Sequence, residues 1–427
     1  MGDRAPDTTR KPTWSVKVSS LGEPRHARLV GDVVVVTGED GAAGLRRSDG
    51  KVLWAQPTRN GRTYVTDDAF VELGSLDPID HGVAVFDVTS GKQRFSVDTD
   101  EDYRVIEISV TSRVLLVHRC DDAIENCQIV GMDLRDGMQL WARPTGETAG
   151  LPYHGDRFAD LDGRKWTGYL LAPKSTYAVA VTSKDGESTY TVLDAVSGAP
   201  VGTLRRPELG GADLRVVGDY LLEQPKGSCD RDTAVLDPRA QRQLWSARHC
   251  LTGTTVVSDM LLNDHPGKPG ELIPLASGKP LWRTPDDALL VGVDSGITVS
   301  MLNAGLELDL DLDLDRPPPG DLVATDPTSG ERLWRTKPAR GSGAEYDTPP
   351  SEFGVADGRV AFSGEEGDFR DSHHVLRVLA AESGQELWRA TDTGLVGIGR
   401  RWVVGVRWED GLQILPKDPA EILFFAA

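Results

Sequence analysis

Apolar residues in this chain come in short alternating runs, and almost nowhere at the spacing of a helical face. Asp32-Val-Val-Val-Val-Thr37 is followed by Gly44-Leu-Arg46 and then Lys51-Val-Leu-Trp54. The same order returns in Asp219-Tyr-Leu-Leu222, Thr233-Ala-Val-Leu236 and Gln243-Leu-Trp245, and again in Gly358–Ser363, Val375–Leu379 and Gln385–Trp388. Each stretch reads as strand, strand, tight turn, strand. The pattern predicts an all-β protein built from small antiparallel sheets.

A short phrase marks the last turn of each unit: an acidic or small residue, a glycine, then a tryptophan four positions on. It stands at Gly50 and Trp54, Gly137 and Trp141, Gly278 and Trp282, Gly330 and Trp334, and Gly384 and Trp388. Gly91 with Phe95 is a weaker copy, Gln241 replaces the glycine before Trp245, and Gly198 precedes Gly202 where an aromatic is expected. Glycine takes φ > 0 without a Cβ clash, so the last two strands can reverse in few residues. Asp87, Asp133, Asp194 and Asp326 recur four residues before that glycine, with Asp237 in register. A carboxylate there accepts backbone N–H bonds and holds the turn.

Steps between successive anchors, starting from Trp14, are 40, 41, 46, 61, 43, 37, 52 and 54 residues. A repeat of this length is a supersecondary unit that buries its apolar face only against its neighbours. The indoles are expected on the outermost strands, wedging adjacent sheets together. A ring of eight four-stranded units is the count adopted, with nine as the alternative, because Trp14 and the Gly202 copy together leave one candidate too many. A single β domain is expected over residues 13–416, between a disordered leader at 1–12 and a tail at 417–427.

Composition narrows the function classes. The net charge of −19 excludes the basic face that nucleic-acid binding wants, and suits a monomer kept apart by self-repulsion. Arginine supplies most of the 47 basic residues, which points to a GC-rich, actinobacterial source. No apolar run reaches the length of a membrane span, and the N-terminus lacks the apolar core of a signal peptide. The four cysteines speak to compartment: Cys120 and Cys127 bracket one hairpin, and Cys229 and Cys250 flank another. Antiparallel pairing puts each couple within disulfide reach, against the alternative of four buried thiols. Disulfides place the chain outside the cytoplasm, secreted or anchored through a segment absent from this sequence; free thiols would place it inside.

Chemistry is sparse. The sequence holds no metalloprotease helix motif, nucleophile elbow or phosphate loop, and its only adjacent histidines are His373 and His374. The segment Leu306–Asp315 alternates leucine with acid, so Asp309, Asp311, Asp313 and Asp315 are the candidate metal ligands. A straight strand spaces alternate carboxylates roughly 6.6–7 Å apart, too far for a calcium cage, and a projecting arm with a solvated acidic face is the reading adopted. Two insertions, Thr145–Thr167 and Lys337–Ser351, are candidate partner surfaces.

The recurrent Asp-x-x-(Ser/Thr)-Gly-x-x-x-Trp phrase resembles the tryptophan-docking motif of the PQQ-like, or BamB-like, β-propeller repeat family, from Trp14 to about Leu415. The resemblance implies an eight-bladed propeller in which an N-terminal strand, Thr13–Val18, completes a blade begun by C-terminal strands at Trp402–Arg407 and Gly411–Leu415. Quinoprotein dehydrogenases of this fold carry a disulfide between adjacent cysteines, a tryptophan on the quinone, a calcium ion and an aspartate base. No two cysteines are adjacent here, and docking leaves only Trp166, Trp402 and Trp408. No PQQ or calcium is therefore expected. The expected role is a non-enzymatic binding or assembly scaffold at the cell envelope. BamB-type lipoproteins serve outer-membrane protein insertion, a role tied to sources that have that membrane. The alternatives are a quinone-dependent dehydrogenase and a ligand-sensing ectodomain.

Overall fold

The computed structural model describes residues 9–58, 63–73, 82–97, 103–121, 126–145, 165–166, 177–184, 187–207, 212–217, 219–225, 233–247, 254–257, 260–265, 268–283, 288–294, 296–302, 321–336, 352–366, 373–407 and 421–426. Every regular element among them is a strand. The strands form nine sheets, most of them four-stranded antiparallel meanders taken in chain order. The sheets occupy residues 24–57, 63–97, 104–145, 177–207, 212–247, 254–283, 288–336, 352–391 and 394–426, and are called first to ninth. Nine is one more than the count adopted from sequence. The fourth and fifth sheets both fall between Trp141 and Trp245, and the unit with Gly202 at its anchor is a true sheet that lacks an aromatic only at that position.

Two sheets borrow strands from elsewhere. The ninth is completed on its outer edge by Trp14–Lys17, which pairs antiparallel with Glu421–Ala426. The N-terminal strand thus pairs into a C-terminal sheet, but with a partner other than the expected one. Residues 421–426, read as tail, supply that partner because Ile422 to Phe425 are apolar and wholly buried; Gly411–Leu415 lie outside the described residues. In the eighth sheet, Lys165–Trp166 runs parallel to the first strand, Glu352–Ala356, opposite Glu352 and Phe353. The insertion that follows the third sheet therefore contributes a strand to the eighth.

The core lies between sheets. Val33, Val35 and Trp54 of the first sheet pack on Val65, Phe70 and Phe86 of the second. Val114, Leu116 and Trp141 of the third meet Ala178, Ala180 and Leu193 of the fourth. Leu376, Val378 and Trp388 of the eighth meet Leu395, Val403 and Phe425 of the ninth. The ninth in turn packs Trp402, Val404 and Phe424 against Val34, Val36 and Leu45 of the first. Meandering sheets stacked face to face in chain order, each burying both faces, are the architecture of a β-propeller.

Candidate functional site

The repeat residues meet at the seams. All seven turn glycines have left-handed backbone, φ running from +64° at Gly198 and Gly278 to +75° at Gly137. Each faces the anchor of the preceding sheet. A Cβ on Gly198 would sit 2.4 Å from Trp141 Cγ, and one on Gly384 2.7 Å from Trp334. Gly50 lies in the same way on Trp14, Gly91 on Trp54, Gly137 on Phe95 and Gly278 on Trp245. Gly330 approaches Trp282 less closely, at 4.0 Å. The glycine is needed twice, for its φ and for the space its missing side chain leaves to an indole.

The indole N–H adds a directional bond. Trp14 Nε1 donates to the Arg47 carbonyl at 2.7 Å, Trp54 to Val88 at 2.7 Å, Trp141 to Ala195 at 3.0 Å and Trp245 to Leu275 at 2.7 Å. Trp334 donates to Ala381. Each acceptor is the residue three before the facing glycine, so one hydrogen-bond register repeats from seam to seam. Trp14, Trp54, Trp141, Trp282, Trp334 and Trp388 are buried, while Trp245 and Phe95 are half-buried.

Two exceptions explain themselves by position. The odd pair, Gly202 and Gln241, meet at one seam: a Cβ on Gly202 would lie 2.3 Å from the Pro238 carbonyl and 3.1 Å from Gln241 Cγ. The side chain missing at the anchor makes room for one at the turn, where Gln241 holds φ +51°. Trp388 faces the ninth sheet, whose last turn is replaced by the meeting of the two chain ends. There its ring stacks on Phe425 at 4.9 Å and the Arg10 guanidinium lies 5.5 Å from its centroid. The Arg10 backbone N–H donates to the Arg389 carbonyl at 2.8 Å, holding the N-terminal segment in place of the absent turn.

The aspartates cap as expected. Asp87 Oδ1 accepts from the Ser90 amide at 2.8 Å and the Thr89 amide at 3.1 Å, and Asp194 repeats this with Ser197 and Val196. Asp326 accepts from Thr328 at 2.7 Å, Asp133 from Arg135 at 2.9 Å and Asp237 from Ala240 at 2.9 Å. Burial pushes the Asp87 carboxyl up, but hydrogen bonds from Arg94 and Ser90 outweigh it and hold it down at about 2. The Arg135 side chain holds Asp133 at about 2, and the turn amides lower Asp194 and Asp326.

Cys120 and Cys127 form a disulfide between directly opposed residues, with Cα atoms 4.0 Å apart. Cys229, Cys250 and the acidic positions Asp309, Asp311, Asp313 and Asp315 lie outside the described residues, as does Trp408. Buried His118 sits beside the disulfide, its Nε2 3.8 Å from Cys120 Sγ and 3.5 Å from Thr145 Oγ1. Burial lowers its imidazole to about 4, so it is neutral at pH 7. With the disulfide reduced, those two sulfurs and this nitrogen would be the donor set for a soft cation; the oxidised pair offers no thiolate. Sequence reading missed this triad, although His118 and Cys120 are two residues apart on a strand and so share a face.

It also missed a cavity of about 620 Å³ between the ninth and first sheets. Arg28, Arg47, Arg400 and Arg401 line it, over an apolar floor that includes Leu29, Ile398 and Trp402. Trp402 is buried there, and Trp166 belongs to the short strand added to the eighth sheet.

Residues 4–201 of the chain match the family model for outer membrane protein assembly factor BamB. No curated protein matches it. Among solved structures it is similar to BamB from Moraxella catarrhalis, at 15% identity over 96% of this chain and 98% of that one, with a TM-score of 0.36. It is also similar to the computationally designed Ika8 protein, at 13% identity over 89% and 99% of the two chains, TM-score 0.48. A europium-containing methanol dehydrogenase gives 12% identity over 99% and 95%, TM-score 0.41. Identities this low carry no statement about activity.

Proposed function

We propose that this protein is a non-enzymatic β-propeller outside the cytoplasm, a closed ring of nine blades that serves as a binding or assembly scaffold at the cell envelope. The match of residues 4–201 to an assembly-factor model is the observation that carries the role. The ring count rests on nine sheets, on the packing of the ninth against the first, and on the sharing of the ninth between both chain ends. The compartment rests on the disulfide: a bridge between facing strand residues needs oxidising surroundings to form and persist. A scaffold of this kind needs rigidity, and the Trp–carbonyl bonds repeated at five seams among the described residues supply it.

Two measurements test the reading. Protein taken from its native host should fractionate outside the cytoplasm with Cys120 and Cys127 joined; a cytoplasmic pool with both thiols alkylatable would overturn it. The melting temperature should not move with saturating pyrroloquinoline quinone and calcium, because a ligand that binds only the folded state must raise it. A saturable rise would return the protein to the dehydrogenases.

A further inference from the structure

The seam between the ninth and first sheets departs from the repeat in two places, both with arginine. The residue three before the turn glycine, whose carbonyl accepts the indole bond wherever one is made, is apolar and buried at the other seams: Val88, Leu134, Ala195, Leu275 and Ala381. Here it is Arg47, half-buried. The turn between the first two strands of a sheet is Gly31-Asp32 in the first sheet, Asp67-Asp68 in the second, Ser112-Arg113 in the third and Asp357-Gly358 in the eighth. In the ninth it is Arg400-Arg401. Arg401 holds φ +59°, a left-handed conformation that a long side chain adopts only at a cost. A left-handed arginine thus stands where the third sheet has Arg113 without a positive φ and the other turns named have glycine or aspartate.

Both substitutions open on one cavity. Arg47 and Arg401 line it together with Arg28 and Arg400. Arg28 is already engaged, donating to the Val65 carbonyl at 2.6 Å and to Asp67 at 3.1 Å. Arg400 lies 3.9 Å from Asp357. Among the described residues no carboxylate pairs with Arg47 or Arg401, in a chain whose net charge is −19. Two unmatched guanidinium groups over an apolar floor of Leu29, Ile398 and Trp402 make an amphipathic pocket. Its volume is that of a small-molecule site. We infer that this seam binds a small organic anion, whose phosphate or carboxylate is held by Arg47 and Arg401 while its apolar body rests on Leu29, Ile398 and Trp402. Guanidinium suits such groups because its planar fork donates two parallel bonds to an oxyanion. This goes beyond the scaffold role and does not depend on it.

The test uses variants that return the seam to the repeat and so preserve the fold: Arg47→Leu restores an apolar residue, and Arg401→Gly supplies the residue that accepts φ > 0. Phenyl phosphate is the probe, with phenol as its neutral counterpart, titrated by calorimetry at physiological ionic strength. The wild-type chain should bind phenyl phosphate saturably and bind phenol at least about tenfold more weakly, the share of one charge-assisted contact. Each variant should lose phenyl phosphate affinity by about the same factor, while Arg401→Gly raises the melting temperature. Absence of saturable binding up to about 10 mM, equal affinity for phenol, or affinity unchanged in both variants would overturn the assignment.

Discussion

At the scale of single residues, the seams depend on an exchange of one side chain for another. An indole buries roughly 150–250 Å², worth several kcal/mol at about 25 cal/mol per Å², and its N–H must find an acceptor once buried. The turn glycine leaves the space and the carbonyl three residues earlier takes the bond. Trp334→Ala removes the indole and its bond to Ala381 and leaves Gly384 facing a void. It should cost about 3–5 kcal/mol in urea unfolding; a loss below about 1 kcal/mol would mean that the ring does not couple the seventh and eighth sheets. Much of this was legible in the chain. The glycines, the tryptophans and the aspartate caps each announce themselves by recurrence. The acceptor carbonyl did not, because a backbone atom has no letter, and the pairing of Gly202 with Gln241 did not, because the two exceptions stand in different repeats and meet only across a seam.

At the scale of the hairpin, the caps tie stability to pH. Asp87 and Asp133 have folded pKa values of about 2 against 3.8 in an unperturbed carboxyl, and Asp194 and Asp326 are displaced in the same direction. The unfolded chain therefore takes up these protons before the folded one does. The stabilisation is complete above about pH 4 and declines as pH falls towards 2. Urea midpoints measured across that interval should drop in the wild type, and should drop less steeply in Asp87→Asn, which keeps an acceptor at the turn but does not titrate. Strand order and turn position were readable from periodicity. Strand membership at the C-terminus was not: Ile422 to Phe425 form a run of buried residues too short to be told from a tail until Trp14–Lys17 pairs beside it. Nor could local pattern announce the strand Lys165–Trp166, whose partner lies far along the chain.

At the scale of the molecule, the ninth sheet is the joint that unites the ends. Trp14 stacks on Phe424 at 5.0 Å with the rings 6° from parallel, and its N–H reaches the first sheet at Arg47. Removing residues 9–18 takes away the outer strand of the ninth sheet and the indole that reaches the first. Such a truncation should unfold at distinctly lower urea and with a broader transition than the full chain; an unchanged midpoint would show that the joint adds nothing to the whole. The tally of sheets was hard to read for the same reason that the seams are tolerant. An anchor of Trp, Phe or Gly serves in turn, so no single letter counts the units, and only the pairing of strands does.

The antiparallel strand at this joint has a mechanical corollary. Trp14 faces Phe424 and Lys17 faces Glu421, so the two ends of the chain leave the ladder from the same side. Tension between them loads the outermost rung first and peels the strand away rung by rung instead of shearing all rungs at once. The molecule would give way at a modest force at this junction, while the hairpin-linked sheets behind it remain folded.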